Sequence, residues 1–174
     1  ASASRRAIEP MTAPLAGIIV VALEQAVSAP LATRHLADLG ATVLKVEHPE
    51  GGDLARHYDA NMAGQSSYFV WANRGKQSIA LDLKAAADRG TFDALVAGAD
   101  VFVQNLSPAA AERAGVLARQ LHATHPGLIA CDVSGYGLDG PHAERPAYDY
   151  VIQALTGVMA ITGDPQAPPT KTGY

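Results

Sequence analysis

The chain has 174 residues, the size of one domain on the usual scale of about 100–200 residues. Apolar residues make up 48%, which excludes wholesale disorder; 13 Lys plus Arg against 17 Asp plus Glu give a formal charge of −4, which argues against broad nucleic-acid binding and leaves room only for a local basic pocket. A single cysteine, Cys131, excludes an internal disulfide framework and a cysteine-based zinc site, and no apolar run reaches the roughly 18 residues of a membrane span.

The first stretch, residues 1–14, is rich in Ala, Ser and Arg and lacks the apolar segment of a secretory signal. It is expected to be a flexible extension, with Met11 as a candidate native start. Gly17-Ile-Ile-Val-Val-Ala-Leu23 is a β-branched run suited to a strand buried on both faces of a parallel sheet. Ser28 is placed to cap a helix whose first turn holds Pro30 and which stops at Gly40. Ala41 to Glu47 is the second strand, completing a β-α-β unit with a right-handed crossover.

A polar loop from His48 to Asp59 follows, then a short aromatic helix at Ser66–Asn73 and a half-buried strand at Ser78–Leu83. Ala85–Ala97 is helical, Asp100–Asn105 a strand, Pro108–Ala114 and Val116–Thr124 helical, and Gly127–Val133 a strand. The loop Ser134-Gly-Tyr-Gly-Leu-Asp-Gly-Pro141 leads to a last helix over Tyr148–Ile161. Strands alternating with helices predict an α/β fold: a Rossmann-like parallel sheet flanked by helices.

Several function classes lose their support at once. The turn after the first strand, Glu24-Gln-Ala-Val-Ser-Ala-Pro30, has no Gly-x-Gly-x-x-Gly, so a nicotinamide or flavin site lacks its fingerprint. No P-loop and no Gly-x-Ser-x-Gly elbow is present. His122 and His125 stand three apart, with no partner ligands nearby in sequence, so no metal site is expected.

Two loops carry more chemistry. In Trp71-Ala-Asn-Arg-Gly-Lys-Gln-Ser78, Asn73, Arg74 and Lys76 surround Gly75, an arrangement that either cradles phosphate or forms a solvated turn. The loop Ser134–Pro141 follows a strand end, where open α/β sheets place ligands, although its glycines alone mean only a turn. Asp149 stands near the start of an apolar helix; it is either a helix-start aspartate favoured by the macrodipole or a nucleophilic carboxylate.

Taken in order, these segments resemble the family III CoA-transferases, also called the CaiB/BaiF family, over about Leu15 to Gly163. The resemblance is carried by Ser28-Ala-Pro30 with Leu36 to Glu47, Asn73-Arg-Gly-Lys76 with Leu81-Asp-Leu-Lys84, Asp100 to Asn105, Ser134-Gly-Tyr-Gly137, Gly140-Pro141, and Ala147-Tyr-Asp149 with Gln153-Ala-Leu-Thr-Gly157. It implies that residues 15–163 form the family's CoA-binding and catalytic large domain. Residues 164–174 would begin a linker to a smaller second domain that this chain lacks.

The resemblance also implies a mechanism. Asp149 attacks an acyl-CoA thioester, CoA thiolate leaves and a mixed aspartyl anhydride forms; an acceptor carboxylate, or CoA thiolate after exchange, then attacks in turn and regenerates acyl-CoA, so that CoA moves from the donor to a free carboxylic acid. Lys76, Asn73 and Arg74 would lie along the nucleotide part of CoA, with Asn105 and Arg113 as further CoA-side positions. His48 stands where relatives carry Arg. Ala29, in the Ser28-Ala-Pro30 motif, and Tyr136 and Gly137, in the glycine-rich loop, are further CoA-site positions. Val27 occupies a position where the formyl-CoA transferase branch has Gln, which argues against formyl-CoA/oxalate specificity.

The branch most resembled handles small dicarboxylates of the succinyl-CoA, mesaconate or itaconate type. The implied partners are acyl-CoA and a small carboxylic acid, with no metal, nucleic acid or membrane, in a homodimer of the longer form. The expected compartment is the cytoplasm, or the mitochondrial matrix in a eukaryote. Two rival readings remain. One is an α-methylacyl-CoA racemase, disfavoured because Tyr148 stands where racemases have an acid/base His before the aspartate. The other is a non-catalytic CoA-binding module.

Overall fold

The computed structural model describes residues 12–173. The expectation of a flexible extension and a start at Met11 falls outside these residues for positions 1–11.

Among the described residues five strands form one sheet: β1 (Ile19–Leu23), β2 (Thr42–Glu47), β3 (Gln77–Ala80), β4 (Val101–Gln104) and β5 (Ile129–Asp132). Their order is β3-β2-β1-β4-β5, and each neighbouring pair is parallel. The direction of chain progression reverses at β1, so β1 and β4 flank the switch point at which ligands settle beyond the carboxyl ends of the strands. This is the predicted Rossmann-like sheet.

Among the described residues six helices connect and flank the strands: α1 (Ser28–Asp38), α2 (Ser67–Asn73), α3 (Ala86–Ala97), α4 (Pro108–Ala114), α5 (Ala118–Thr124) and α6 (Asp149–Leu155). Short 3-10 turns at Leu54–His57 and Val158–Ile161 complete the elements. Among the described residues no helix is long and apolar enough to cross a membrane.

The central strands are apolar on both faces because both faces are covered. Val20 and Ala22 pack with Ala29, Val43 and Val103 in one layer. Val21 turns the other way, to Phe92, Val96, Phe102, Leu117 and Leu121. Phe92 of α3 meets Phe102 of β4 edge to face at 6.0 Å, joining helix to sheet.

The ends of the elements follow local chemistry with three corrections. Ser66 and Ser107 cap α2 and α4, each accepting an N–H three residues on. Ser28, expected as a cap, is the first residue of α1; Val27 holds the cap position and makes no side-chain cap bond. The last helix, expected to reach Ile161, ends at Leu155, because Gly157 takes φ +79° and turns the chain into a 3-10 segment. β3 stops at Ala80 rather than Leu83: Leu81 N–H still reaches the Glu47 carbonyl at 2.9 Å, and Asp82 then opens the turn into α3.

Candidate functional site

The carboxyl ends of β1, β2 and β3, with the face of α4, enclose a pocket of about 510 Å³. Leu23, Val46, Leu81, Leu83, Leu106 and Ala110 supply an apolar lining, Lys84, Arg89 and Arg113 supply cations, and the His48 ring lies beside them. These polar groups differ in availability. Arg89 binds Asp93 at 2.8 Å and donates to the Ala114 carbonyl, which fixes it in the wall. His48 accepts the Glu50 N–H at Nδ1 (3.1 Å), which leaves Nε2 to carry the proton, 3.8 Å from Asp82 Oδ1. Lys84 and Arg113 are exposed, and neither side chain makes an ion pair among the described residues. Two uncommitted cations from different walls over an apolar lining suit an anionic ligand with an apolar body.

Beneath the pocket lies a buried ionic net. Glu24, just after β1, has a side chain with 0% exposure. It accepts Lys76 Nζ at 2.6 Å and the Thr33 hydroxyl at 2.7 Å, and Lys45 Nζ stands 3.5 Å away. Lys45 in turn donates to Asp53 at 2.7 Å. Two ammonium and two carboxylate groups thus balance inside the fold, as buried charges must. Lys76 spends its other donors on the Pro30 carbonyl (2.8 Å) and Asn73 Oδ1 (3.0 Å). Burial pushes its ammonium down to about 8, against the pull of Glu24.

Glu47, at the end of β2, anchors the pocket wall. Arg56 grips both its oxygens at 2.7 Å, the Ser78 hydroxyl donates at 2.6 Å, and the Asp53 N–H donates at 3.0 Å. Burial alone would raise this carboxyl, but the Arg56 fork, Ser78 and the Asp53 amide outweigh it and hold it at about 2. Arg56 also lies over the Phe69 ring at 3.8 Å, tying α2 to the same wall.

The turn after β1 is held from two sides. Gln25 N–H donates to Asn105 Oδ1 at 2.8 Å, and Asn105 Nδ2 donates back to the Gln25 carbonyl at 2.8 Å. Ala26 N–H donates to Asp53 Oδ1 at 2.8 Å. Ala26 has φ +64°, left-handed for a residue that is not glycine.

Of the residues expected at the site, His48 and Arg113 line the pocket. Lys76 is 98% buried by its side chain's 2% exposure and engaged as described. Asn73 is buried, donating to the Phe69 carbonyl at 3.0 Å. Arg74 is exposed and grips Asp38 at 2.9 and 3.2 Å; its hydrogen bonds hold the Asp38 carboxyl below the usual range. Val27 holds the cap position before α1 and lies outside the pocket lining, and Ala29 is wholly buried in the core. Tyr136 stacks edge-on against His142 at 5.9 Å, and Gly137 follows with φ +81°.

Asp149 opens α6, exposed to solvent and outside the pocket lining. Gln153 Nε2 donates to its Oδ2 at 2.6 Å, and the Thr172 N–H donates to Gln153 Oε1 at 2.9 Å. Gly135 lets the glycine-rich loop touch this segment: a Cβ there would fall 2.2 Å from the Ala147 Cβ. Sequence reasoning missed Lys84, Arg89, Glu24 and Asp53. Lys84 was legible, standing just past the strand expected at Ser78–Leu83. Among the described residues no group of His, Cys, Asp or Glu is arranged to hold a metal ion.

These features have counterparts in known proteins. A model of the family described as CoA-transferase family III matches residues 15–174. An acetyl-CoA:oxalate CoA-transferase of Acetobacter aceti is 42% identical over 92% of this chain and 41% of its own length. A succinate–glutarate CoA-transferase of Agrobacterium fabrum is 38% identical over 92% of this chain and 42% of its own. Among solved structures, a CAIB/BAIF family protein from Brucella suis superimposes with a TM-score of 0.85 at 38% identity, covering 94% of this chain and 44% of that one. The chain spans about two fifths of the length of these curated relatives. Family-model match, curated relatives and fold agree, and the chain belongs to CoA-transferase family III.

Proposed function

We propose that this chain supplies the CoA-binding part of an enzyme that moves CoA from an acyl-CoA donor to a small carboxylic acid. One observation carries the reading: the pocket at the strand ends joins an apolar lining to Lys84 and Arg113, two cations with no ion-pair partner among the described residues. CoA has phosphates for those cations and an apolar, hydrogen-bonding pantetheine arm for the lining. His48 is a third donor through Nε2–H. Lys76, with its donors committed inside the fold, supports the pocket from below.

Titration calorimetry with CoA tests this. The chain binds CoA, and Lys84→Ala with Arg113→Ala weakens binding by about 10- to 100-fold, each lost charge-assisted bond being worth roughly 1–2 kcal/mol. The double variant also shows a flatter dependence on salt. Unchanged affinity in that variant overturns the assignment of the pocket.

For the transfer step, the reading assigns the acyl-accepting carboxylate to Asp149. Its oxygen attacks the thioester carbonyl, the C–S bond breaks with its electron pair leaving on CoA thiolate, and a mixed anhydride forms. Thiolate then attacks the Asp149 carbonyl of the anhydride and expels the donor acid, leaving an aspartyl-CoA thioester; the acceptor carboxylate attacks that carbonyl, thiolate leaves again, and its attack on the acceptor's carbonyl forms the new acyl-CoA and frees the Asp149 carboxylate. An exposed carboxylate at the first residue of α6 supports this role. Asp149→Ala then abolishes transfer while CoA binding survives, and hydroxylamine under turnover conditions marks Asp149 as a hydroxamate.

A second reading has its own observation. Asp149 holds Gln153, Gln153 holds the Thr172 amide, and none of the three lines the pocket. In that reading Asp149 positions the segment after α6, and the reacting carboxylate belongs to sequence of the kind the longer relatives carry beyond the matched part. Transfer that persists in Asp149→Ala, at a reduced rate, selects it.

The acceptor class proposed is the small dicarboxylates, in line with the names of the relatives from Agrobacterium fabrum and Homo sapiens. The oxalate-acting relative at 42% identity keeps oxalate in the acceptor panel, against the expectation drawn from Val27. A homodimer is proposed and is checked by sedimentation. Deuterium exchange at the α-carbon of a 2-methylacyl-CoA without an acceptor acid would instead select the racemase, and CoA binding with no turnover the non-catalytic module.

A further inference from the structure

We infer that Asn105 is a positioning residue, which shapes the ligand pocket by clamping the backbone of the turn after β1 and does not itself touch the ligand. The inference rests on the reading of the pocket as the CoA site.

The argument starts from how an amide can be used up. Asn105 follows β4 across the switch point from β1, and its oxygen and nitrogen both face one residue. Oδ1 accepts the Gln25 N–H at 2.8 Å, and Nδ2 donates to the Gln25 carbonyl at 2.8 Å. Among the described residues its one other hydrogen bond is to the Ser28 hydroxyl at 3.5 Å, the limit of a useful bond. One Nδ2 hydrogen is thus left without a strong partner, but Asn105 is not among the residues that line the pocket, so what it offers the site is the clamp.

What the clamp holds is costly to hold. The next residue, Ala26, sits at φ +64°, a conformation that alanine adopts only where its surroundings impose it. The imposition comes from both sides: Asn105 before it and Asp53 Oδ1 at 2.8 Å on its own N–H. Asp53 is itself fixed by Lys45 at 2.7 Å and by the Ala55 N–H at 2.9 Å. Glu24 and Gln25 line the pocket directly, so the path of this turn sets one of its walls. Without the clamp, the strain at Ala26 relaxes by moving that wall.

The experiment separates an indirect role from a direct one by rescue. CoA affinity is measured by calorimetry for the wild-type chain, Asn105→Ala, and Asn105→Ala combined with Ala26→Gly. Asn105→Ala weakens CoA binding by about tenfold, the effect of two lost main-chain bonds. Glycine adopts φ +64° without strain. Adding Ala26→Gly therefore recovers about threefold or more of that loss, as expected when about 1 unit of RT or somewhat more of strain is removed. A double variant no tighter than Asn105→Ala overturns the inference, because a lost ligand contact cannot be restored by freeing the backbone.

Hydrogen exchange supplies a second reading. The Gln25 amide is protected in the wild type and exchanges at least about tenfold faster in Asn105→Ala. A freely exchanging Gln25 amide in the wild type also overturns the clamp. Should Asn105→Ala fail to fold, Asn105→Asp replaces it, keeping the acceptor for Gln25 N–H while setting an oxygen against the Gln25 carbonyl; the same rescue is expected. A wild-type chain that binds no CoA refutes the pocket assignment, and the exchange measurement then judges the clamp alone.

Discussion

Replacing Glu47 by Gln removes the charge that holds the pocket wall together while nearly preserving its volume. The structure sets the size of the effect. The Glu47 carboxyl is 4% exposed and accepts four hydrogen bonds, two of them from the Arg56 guanidinium. Its value falls from 4.5 to about 2. At about 1.36 kcal/mol per unit, that is roughly 3 kcal/mol. Arg56 is 37% exposed, so solvent screens part of the attraction and about 2–3 kcal/mol is the better figure. For a chain of this size that corresponds to a Tm lowered by about 5–10 °C.

The sign with pH follows from the depressed carboxyl. The unfolded chain binds the proton more readily, so the stabilisation is fully present above about 4.5 and fades as pH falls toward 2. Thermal melts of wild type and Glu47→Gln at pH 7, 5, 4 and 3 read this directly. The gap in Tm is widest at pH 7 and narrows steadily below pH 4.5. A gap below 1 °C at pH 7, or one that stays constant down to pH 3, would refute the account of Glu47 as an ionised anchor.

Further outcomes follow from other groups. Lys76, held down at about 8 by burial, loses its proton in the folded state before the unfolded chain does; its contribution to stability therefore rises as pH climbs from about 8 to 10.5. Comparing urea unfolding of wild type and Lys76→Met across that window checks the sign, with a relative gain of up to about 3 kcal/mol for the wild type. Gly135→Ala drives a Cβ to 2.2 Å from the Ala147 Cβ, and the overpacking costs about 1–3 kcal/mol, read as a lowered Tm. Arg74→Ala removes a grip on Asp38 at the surface; because both groups stand in solvent, Tm moves by less than about 2 °C and CoA affinity is unchanged.

The fold was legible because its signals are local. Continuous β-branched runs, Ser-Pro helix starts and glycine stops lie within a few residues of the elements that they define, and all five strands were found from them. The missed end of α6 was equally local: Gly157 marks it, and the apolar run beyond Gly157 masked the break. The site was harder, because its logic is long-range. Asn73, Arg74 and Lys76 read as a phosphate cradle only while Glu24 and Asp38 are out of sight; those carboxylates lie 52 and 36 residues from Lys76 and Arg74. Nothing near Lys76 announces that its ammonium is turned inward. His48 and Arg113 were found by resemblance, whereas Lys84 needed only the rule that ligands gather at carboxyl ends of parallel strands.

The sheet order has a consequence for how the protein is made. Of the five strands described, β1 is the first to leave the ribosome, and it ends at the centre of the sheet, with β2 on one side and β4 on the other. β2 and α1 follow closely, so the first β-α-β unit can assemble early. The β4 edge stays open until Val101 and its neighbours emerge, some seconds later at about 5–20 residues per second. Through that interval Val20, Val21 and Ala22 present an unpaired apolar edge, a template for mispairing with any nascent chain nearby. The strand most sheltered in the finished molecule is thus the most vulnerable one during synthesis. Arrested chains ending between β2 and β4 are where chaperone binding and aggregation should concentrate.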